Sequence, residues 1–148
     1  MKGTSLLEVL VVIAIFSMLI VLTFPFSLRL INQTKADAEA KSLSYIIFRQ
    51  QQDAYSGLNN KPYGISLYSD RYIVFTGASL ATADSQDTFY LNSPISMSSI
   101  SLDNGSEIVF SSGSFRPQSS GYLIITDSQK SYRIDISSEG LISYYSNE

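Results

Sequence analysis

Between Lys2 and Arg29 the chain carries a single charged residue, Glu8, at the head of an apolar run that continues from Val9 to Leu28. Twenty residues at about 1.5 Å each make a helix about 30 Å long, enough to cross the hydrocarbon core of a bilayer. The run is therefore expected to span a membrane. An ionised side chain in the outer part of such a helix costs roughly 2 to 3 kcal/mol, so Glu8 calls for a partner or a task.

Two ordinary readings leave Glu8 unexplained. A cleavable secretory peptide has an apolar core of about 7 to 15 residues followed by a small-residue cleavage site. Here the core is longer, and Phe24-Pro25-Phe26-Ser27-Leu28-Arg29 contains no such site. A plain signal anchor fits the length. Lys2 on the short side agrees with a cytoplasmic amino terminus, although Arg29, Lys35 and Lys41 follow on the other side. It accounts neither for Glu8 nor for the Gly-Thr-Ser step before it.

The segment Gly3-Thr4-Ser5-Leu6-Leu7-Glu8-Val9-Leu10 resembles the prepilin signature of type IV pilins and pseudopilins: a short basic leader, glycine, any residue, a hydroxyl residue, two aliphatics, glutamate, then an apolar helix. The resemblance implies that a membrane prepilin peptidase cuts after Gly3 and methylates the new terminus at Thr4. It also implies that Glu8 pairs with the terminal amine of a neighbouring subunit. The amine, with an ordinary pKa of about 7.7 to 8.0, is mostly cationic at neutral pH. Two opposite charges among apolar helices attract strongly, while either alone is costly, so the pair sets assembly register. Pro25 lacks a backbone donor and is expected to kink or loosen the helix, as a proline often does at this place in the family.

With 148 residues there is room for one membrane segment and one domain of about a hundred residues. The absence of cysteine and histidine removes thiol nucleophiles, disulfides, lipoprotein acylation, His-based triads and the commonest zinc ligand sets. No enzymatic activity and no cofactor are expected. From residue 62 onward nine acids face four bases, an acidic balance that disfavours nonspecific nucleic-acid binding.

Beyond Pro25 the pattern becomes amphipathic. Ala36, Ala40, Leu43, Ile47, Ala54 and Leu58 recur at spacings of four and three, which predicts a helix with one buried stripe. Arg29, Lys35, Asp37, Glu39, Lys41 and Arg49 take its solvated positions, with Asp37 and Lys41 a favourable i,i+4 pair. Unbroken from Leu6 to Tyr55, this helix would measure about 75 Å. Gly57-Leu58-Asn59-Asn60-Lys61-Pro62 ends it. Strands are expected at 63–68, 71–76, 88–91, 95–102, 106–111, 122–126, 131–137 and 141–145, with 77–87 a loop. Ser69-Asp70, Asp103-Asn104-Gly105 and Glu139-Gly140 supply the turns.

The closing segments, from Glu107-Ile108-Val109-Phe110 through Gly121-Tyr122-Leu123-Ile124-Ile125 to Tyr132-Arg133-Ile134-Asp135-Ile136 and Leu141-Ile142, resemble the last hairpins of the H-type minor pseudopilins, the GspH/FimT-like family. Lys61-Pro62-Tyr63-Gly64-Ile65-Ser66-Leu67 and Arg71-Tyr72-Ile73-Val74-Phe75 are similar to its first hairpin. The resemblance implies an α+β pilin fold: a long N-terminal helix, transmembrane in its first half, packed on a C-terminal antiparallel β-sheet head. The expected divisions are a leader at 1–3, a transmembrane or filament-core helix at 4–28, its amphipathic half at 29–58 and the head at 62–148.

Other sites are weaker. Asp103, Asn104 and Glu107, or Asp84 and Asp87, lack the alternating oxygen spacing of a calcium loop and read as solvated turns, so no metal is expected. The serine run from Ser96 to Ser101 has no histidine base; a lysine base is the one option, and Lys130 is the head lysine beyond Lys61. The ten tyrosines are expected to be mostly half-buried sheet residues. Some FimT-like pilins bind DNA through bases near the C-terminus, but Lys130 and Arg133 sit among Asp127, Asp135 and Glu139, and nothing basic follows. The resulting expectation is a minor pilin or pseudopilin of a type IV pilus or type II secretion system. Its partners are other subunits, the prepilin peptidase and the inner-membrane assembly platform. It would be a single-pass protein of the inner membrane with a cytoplasmic N-terminus and an extracytoplasmic head, leaving the membrane for the filament on assembly.

Overall fold

The computed structural model describes residues 6–127 and 130–147, with side chains described for all of these except 22–34 and 147. Its fold is α+β. A single helix, α1 (Leu6–Tyr55), precedes eight described strands: β1 (Tyr63–Leu67), β2 (Arg71–Thr76), β3 (Ser85–Tyr90), β4 (Ser96–Leu102), β5 (Glu107–Phe110), β6 (Gly121–Thr126), β7 (Ser131–Ile136) and β8 (Ile142–Asn147). Every strand pair is antiparallel.

The fifty-residue helix forms as one element. Its first four turns contain neither glycine nor proline, so nothing interrupts the backbone ladder there. The backbone stays helical through Pro25, whose side chain lies outside the described residues. In the second half Ala36, Ala40, Leu43, Ile47 and Ala54 are fully buried, and their four-and-three spacing is that of one helix face. Gly57, at φ 69°, turns the chain out of the helix, and Asn59 and Asn60 follow with φ of 55° and 53°. That exit corrects one expectation. Leu58 continues the stripe in sequence but stands 47% exposed, because the helical period has ended before it.

The strands form two sheets, in the orders β3-β2-β1-β5 and β4-β6-β7-β8, where the expectation is a head built on one antiparallel sheet. The reason lies in β1, whose two edges are taken by β2 and β5. β4 follows β3 in sequence yet pairs with β6. The turn at Asp103-Asn104-Gly105 therefore carries the chain from one sheet back to the other instead of closing a hairpin. The loop expected at 77–87 is also shorter than predicted. Ser85, Gln86 and Asp87 pair with Thr76, Phe75 and Val74, extending an edge strand whose six residues are all exposed and so show no apolar alternation.

Both sheets meet α1, the first through β1 and β5 and the second through β6, β7 and β8. Ile65, Leu67, Ile108 and Phe110 from one side, and Leu123, Ile125, Ile134 and Ile136 from the other, join the helix stripe in one buried cluster. Each such side chain contributes about 1.5 to 3 kcal/mol by leaving water.

Candidate functional site

Gly3 and Thr4 lie outside the described residues. Glu8 stands exposed in the first turn of α1, where a carboxylate is favoured by the positive end of the helix dipole. The apolar residues around it are bare. Leu6 is 79% exposed, Leu10 59%, Phe16 62% and Val21 71%. Among the described residues no helix is long and apolar enough to cross a membrane. The described side chains of the expected transmembrane segment stop at Val21, short of the about 20 residues a crossing takes.

The packed half of α1 is tied to β8, the last strand. Lys41 Nζ lies 2.6 Å from Asp37 Oδ2, the ion pair expected from their spacing. Tyr144 Oη donates a hydrogen bond to the other oxygen, Asp37 Oδ1. Lys41 first, and then the Tyr144 hydroxyl, hold the Asp37 carboxyl below its ordinary value of 3.8. Burial, followed by the hydrogen bond to Asp37, pushes the Tyr144 phenol well above its ordinary 10.0. About three turns beyond Lys41, Gln51 Nε2 donates to Phe115 O at 2.8 Å and to Gly140 O at 2.6 Å. Gly140, at φ 88°, leaves no room for a side chain: a Cβ there would stand 2.3 Å from Phe115 O. These ties hold the start of β8 beside α1. Between them runs a groove of about 300 Å³ lined by Lys41, Ser44, Tyr45, Phe48, Ile142 and Tyr144.

The remaining candidates are engaged elsewhere. Arg133 Nε lies 2.7 Å from Asp135 Oδ1, and the guanidinium stacks 3.9 Å above the Tyr122 ring. Asp135 raises its pKa further, so Arg133 is a charged group already matched. Lys130 uses its backbone to close the β6–β7 turn, its N–H donating to Asp127 Oδ1 at 2.9 Å. Asp84 pairs with Lys61 at 2.9 Å, and Asp103 accepts from Ser120 Oγ. Glu107 Oε2 is 3.4 Å from Leu80 N. Among the described residues no three potential ligands gather around a metal position. In the serine run, Ser98 Oγ reaches Ile124 O at 3.5 Å. Tyr63, Tyr72 and Tyr132 are buried, whereas Tyr45 and Tyr90 are 66% and 67% exposed.

Two features escaped the sequence reading. The Asp37–Tyr144 bond joins residues 107 positions apart, and only the folded sheet brings them together. The bare pair Tyr45 and Phe48 does carry a local signal, two aromatics at i,i+3 on the face opposite the alanine stripe. No protein-family model, curated protein or solved structure matches this chain.

Proposed function

We propose that this chain is a pilin-class filament subunit, an H-type minor pilin or pseudopilin of the GspH/FimT-like kind with a pilin fold. In this reading it enters the inner membrane through the helix at 4–28, is cut after Gly3 by the prepilin peptidase and is methylated at Thr4. The assembly platform then moves it into a type IV pilus or type II secretion pseudopilus. Glu8 pairs with the amine of a neighbouring subunit and sets the register of the helices. The action is mechanical and needs neither catalysis nor cofactor.

One conjunction supports this most: the complete Gly3-to-Glu8 signature opens a helix whose residues 6–21 are bare while the same helix packs, further along, on a β head. An apolar surface of that length has to be covered by lipid or by other helices. A DNA-uptake role finds less support, because Arg133 is matched by Asp135 and Tyr122.

The test is the mass of the mature amino terminus in cells with the assembly machinery. A start at methylated Thr4 is expected, and Gly3→Leu should leave the precursor mass unchanged. An intact Met1 in the mature wild-type protein would overturn the reading in favour of a membrane-anchored binding protein that never polymerises.

A further inference from the structure

β3 stands at the end of the first sheet, so no described strand pairs with its outer edge. In its register Phe89 lies opposite Tyr72 and Asp87 opposite Val74, and both of those partners pack on the core that α1 shares. Phe89 and Asp87 therefore face the helix side of the sheet too, where alternation would put apolar residues. A charge turned inward on an edge strand ordinarily keeps other strands away. Asp87 has no ion-pair partner among the described residues, so its carboxylate is left unmatched.

Beneath it, at the seam of α1 and the sheet, is a pocket of about 270 Å³ lined by Ile46, Arg49, Gln50, Val74, Asp87 and Phe89. Gln50 is only 7% exposed, yet its Oε1 has no hydrogen-bond partner. Burying an amide oxygen without a donor costs stability, and such atoms are rare in folded chains. Rotation about the last bond of the side chain is loose and turns that oxygen toward a donor entering the pocket. Ile46 and Val74 give the pocket an apolar wall, and Phe89, stacked on Tyr72 at 5.2 Å, gives it an aromatic one. Arg49 is largely exposed and inclines along the helix, its Nε 3.8 Å from Asp53 Oδ2.

This set of groups suits a planar cation on an apolar stem. A guanidinium has five donors and no acceptor: it can pair with the Asp87 carboxylate, give an N–H to Gln50 Oε1 and lie on the Phe89 ring, while its methylenes cover Ile46 and Val74. An ammonium would answer the charge without the fork or the stacking. We propose that β3 is extended by a strand of another protein that carries an arginine, whose side chain turns under the sheet into this pocket. The free edge supplies main-chain hydrogen bonds, and the pocket selects the residue. Side chains at one level on neighbouring strands stand about 5 Å apart, so an arginine placed opposite Asp87 starts within reach. The nine acids and four bases from residue 62 onward favour a basic partner. A second copy of β3 does not fit, because Ser85–Tyr90 brings no base to Asp87. The site lies in the head and does not depend on the filament reading.

The test uses the full-length chain in detergent micelles and a capped pentapeptide with arginine at its centre, flanked on each side by valine and then threonine. The peptide should slow amide hydrogen exchange across 85–90. It should also bind at least tenfold more tightly than the same peptide with citrulline, which keeps the shape and loses the charge. Asp87→Asn should weaken the arginine peptide at least tenfold and leave the citrulline peptide unchanged. Gln50→Met should weaken binding severalfold without lowering the melting temperature, since it removes the stranded oxygen at similar size. Capped arginine alone should bind far more weakly and leave exchange in β3 as it was. Unslowed exchange in β3, or equal affinity for the arginine and citrulline peptides, overturns the proposal. So does capped arginine binding as tightly as the peptide, which would make the pocket a receptor for a small cation. A melting temperature lowered by Gln50→Met also overturns it, by showing the amide already bonded within the chain. Each of these results leaves the filament reading, tested at Gly3, where it stood.

Discussion

From 36 to 54 α1 keeps Ala36, Ala40, Leu43, Ile47 and Ala54 wholly out of water, whereas from 6 to 21 its large apolar side chains stand 45% to 79% exposed. The backbone is helical in both stretches, so the contrast lies in what surrounds it. Helical propensity alone makes isolated helices marginal in water, and most helical stability in proteins comes from packing one face. The second half has that packing within the chain, from two sheets. Among the described residues the first half has none. Apolar side chains in the second half should therefore set the stability of the head, and those in the first half should matter only once another surface arrives.

Leu43→Ala should break the comparison hardest. Leu43 is fully buried in the cluster that α1 shares with both sheets, and removing its branched end from a packed core costs about 2 to 5 kcal/mol. The melting temperature of the β signal in circular dichroism should fall by several degrees or more. Leu10→Ala, the same change on a side chain 59% exposed, should leave it unmoved. Equal losses from both would mean that the bare half contributes to the folded head.

Tyr144→Phe should cost less, about 1 kcal/mol for one hydrogen bond to a charged partner across the α1–β8 seam. Its pH signature is sharper than its size. Asp37 has a folded pKa below 3.8, so its stabilisation is present above that value and is lost as pH falls through the folded one. The Tyr144 phenol has a folded pKa above 10.0, so its contribution is present below 10.0 and is lost as pH rises through the folded value. The variant should show shallower losses of stability on both limbs of a denaturation series run from pH 2 to 11. Unchanged limbs would remove Tyr144 as the partner that couples the last strand to the helix.

The sequence carried the local parts of this structure well and the distant parts poorly. Spacing placed the stripe from Ala36 to Ala54 and the Asp37–Lys41 pair, because both depend on neighbours three and four positions away. Alternation placed β7, where Tyr132, Ile134 and Ile136 point inward and Arg133 and Asp135 outward. The division into two sheets was hidden, since it turns on which edge β4 chooses, and a turn such as Asp103-Asn104-Gly105 serves a hairpin or a crossover equally well. The N-terminal half is the reverse case. Its candidate residues Gly3, Thr4 and Glu8 stand out in the sequence by pattern, and the chemistry proposed for them belongs to surfaces outside the single chain.

Glu8→Ala tests that last point and should have the smallest effect on the isolated protein. Glu8 is exposed in the first turn, far along α1 from the buried cluster, so the head should melt as in the wild type. Losing the carboxylate also removes roughly 2 to 3 kcal/mol of cost from a helix held in lipid, so the variant should remain in the membrane at least as firmly. Leader cleavage at Gly3 should proceed, because the bond to be cut lies five residues away. What should fall is the amount of processed chain in the sheared filament fraction, read by immunoblot against the membrane fraction. A helix made more comfortable in lipid and deprived of its one directional charge has less reason to leave for a filament and nothing to fix its register there. Incorporation at the wild-type level would separate the two halves of α1 in a different way, by showing that apolar cover alone suffices and that the carboxylate is not what selects the partner.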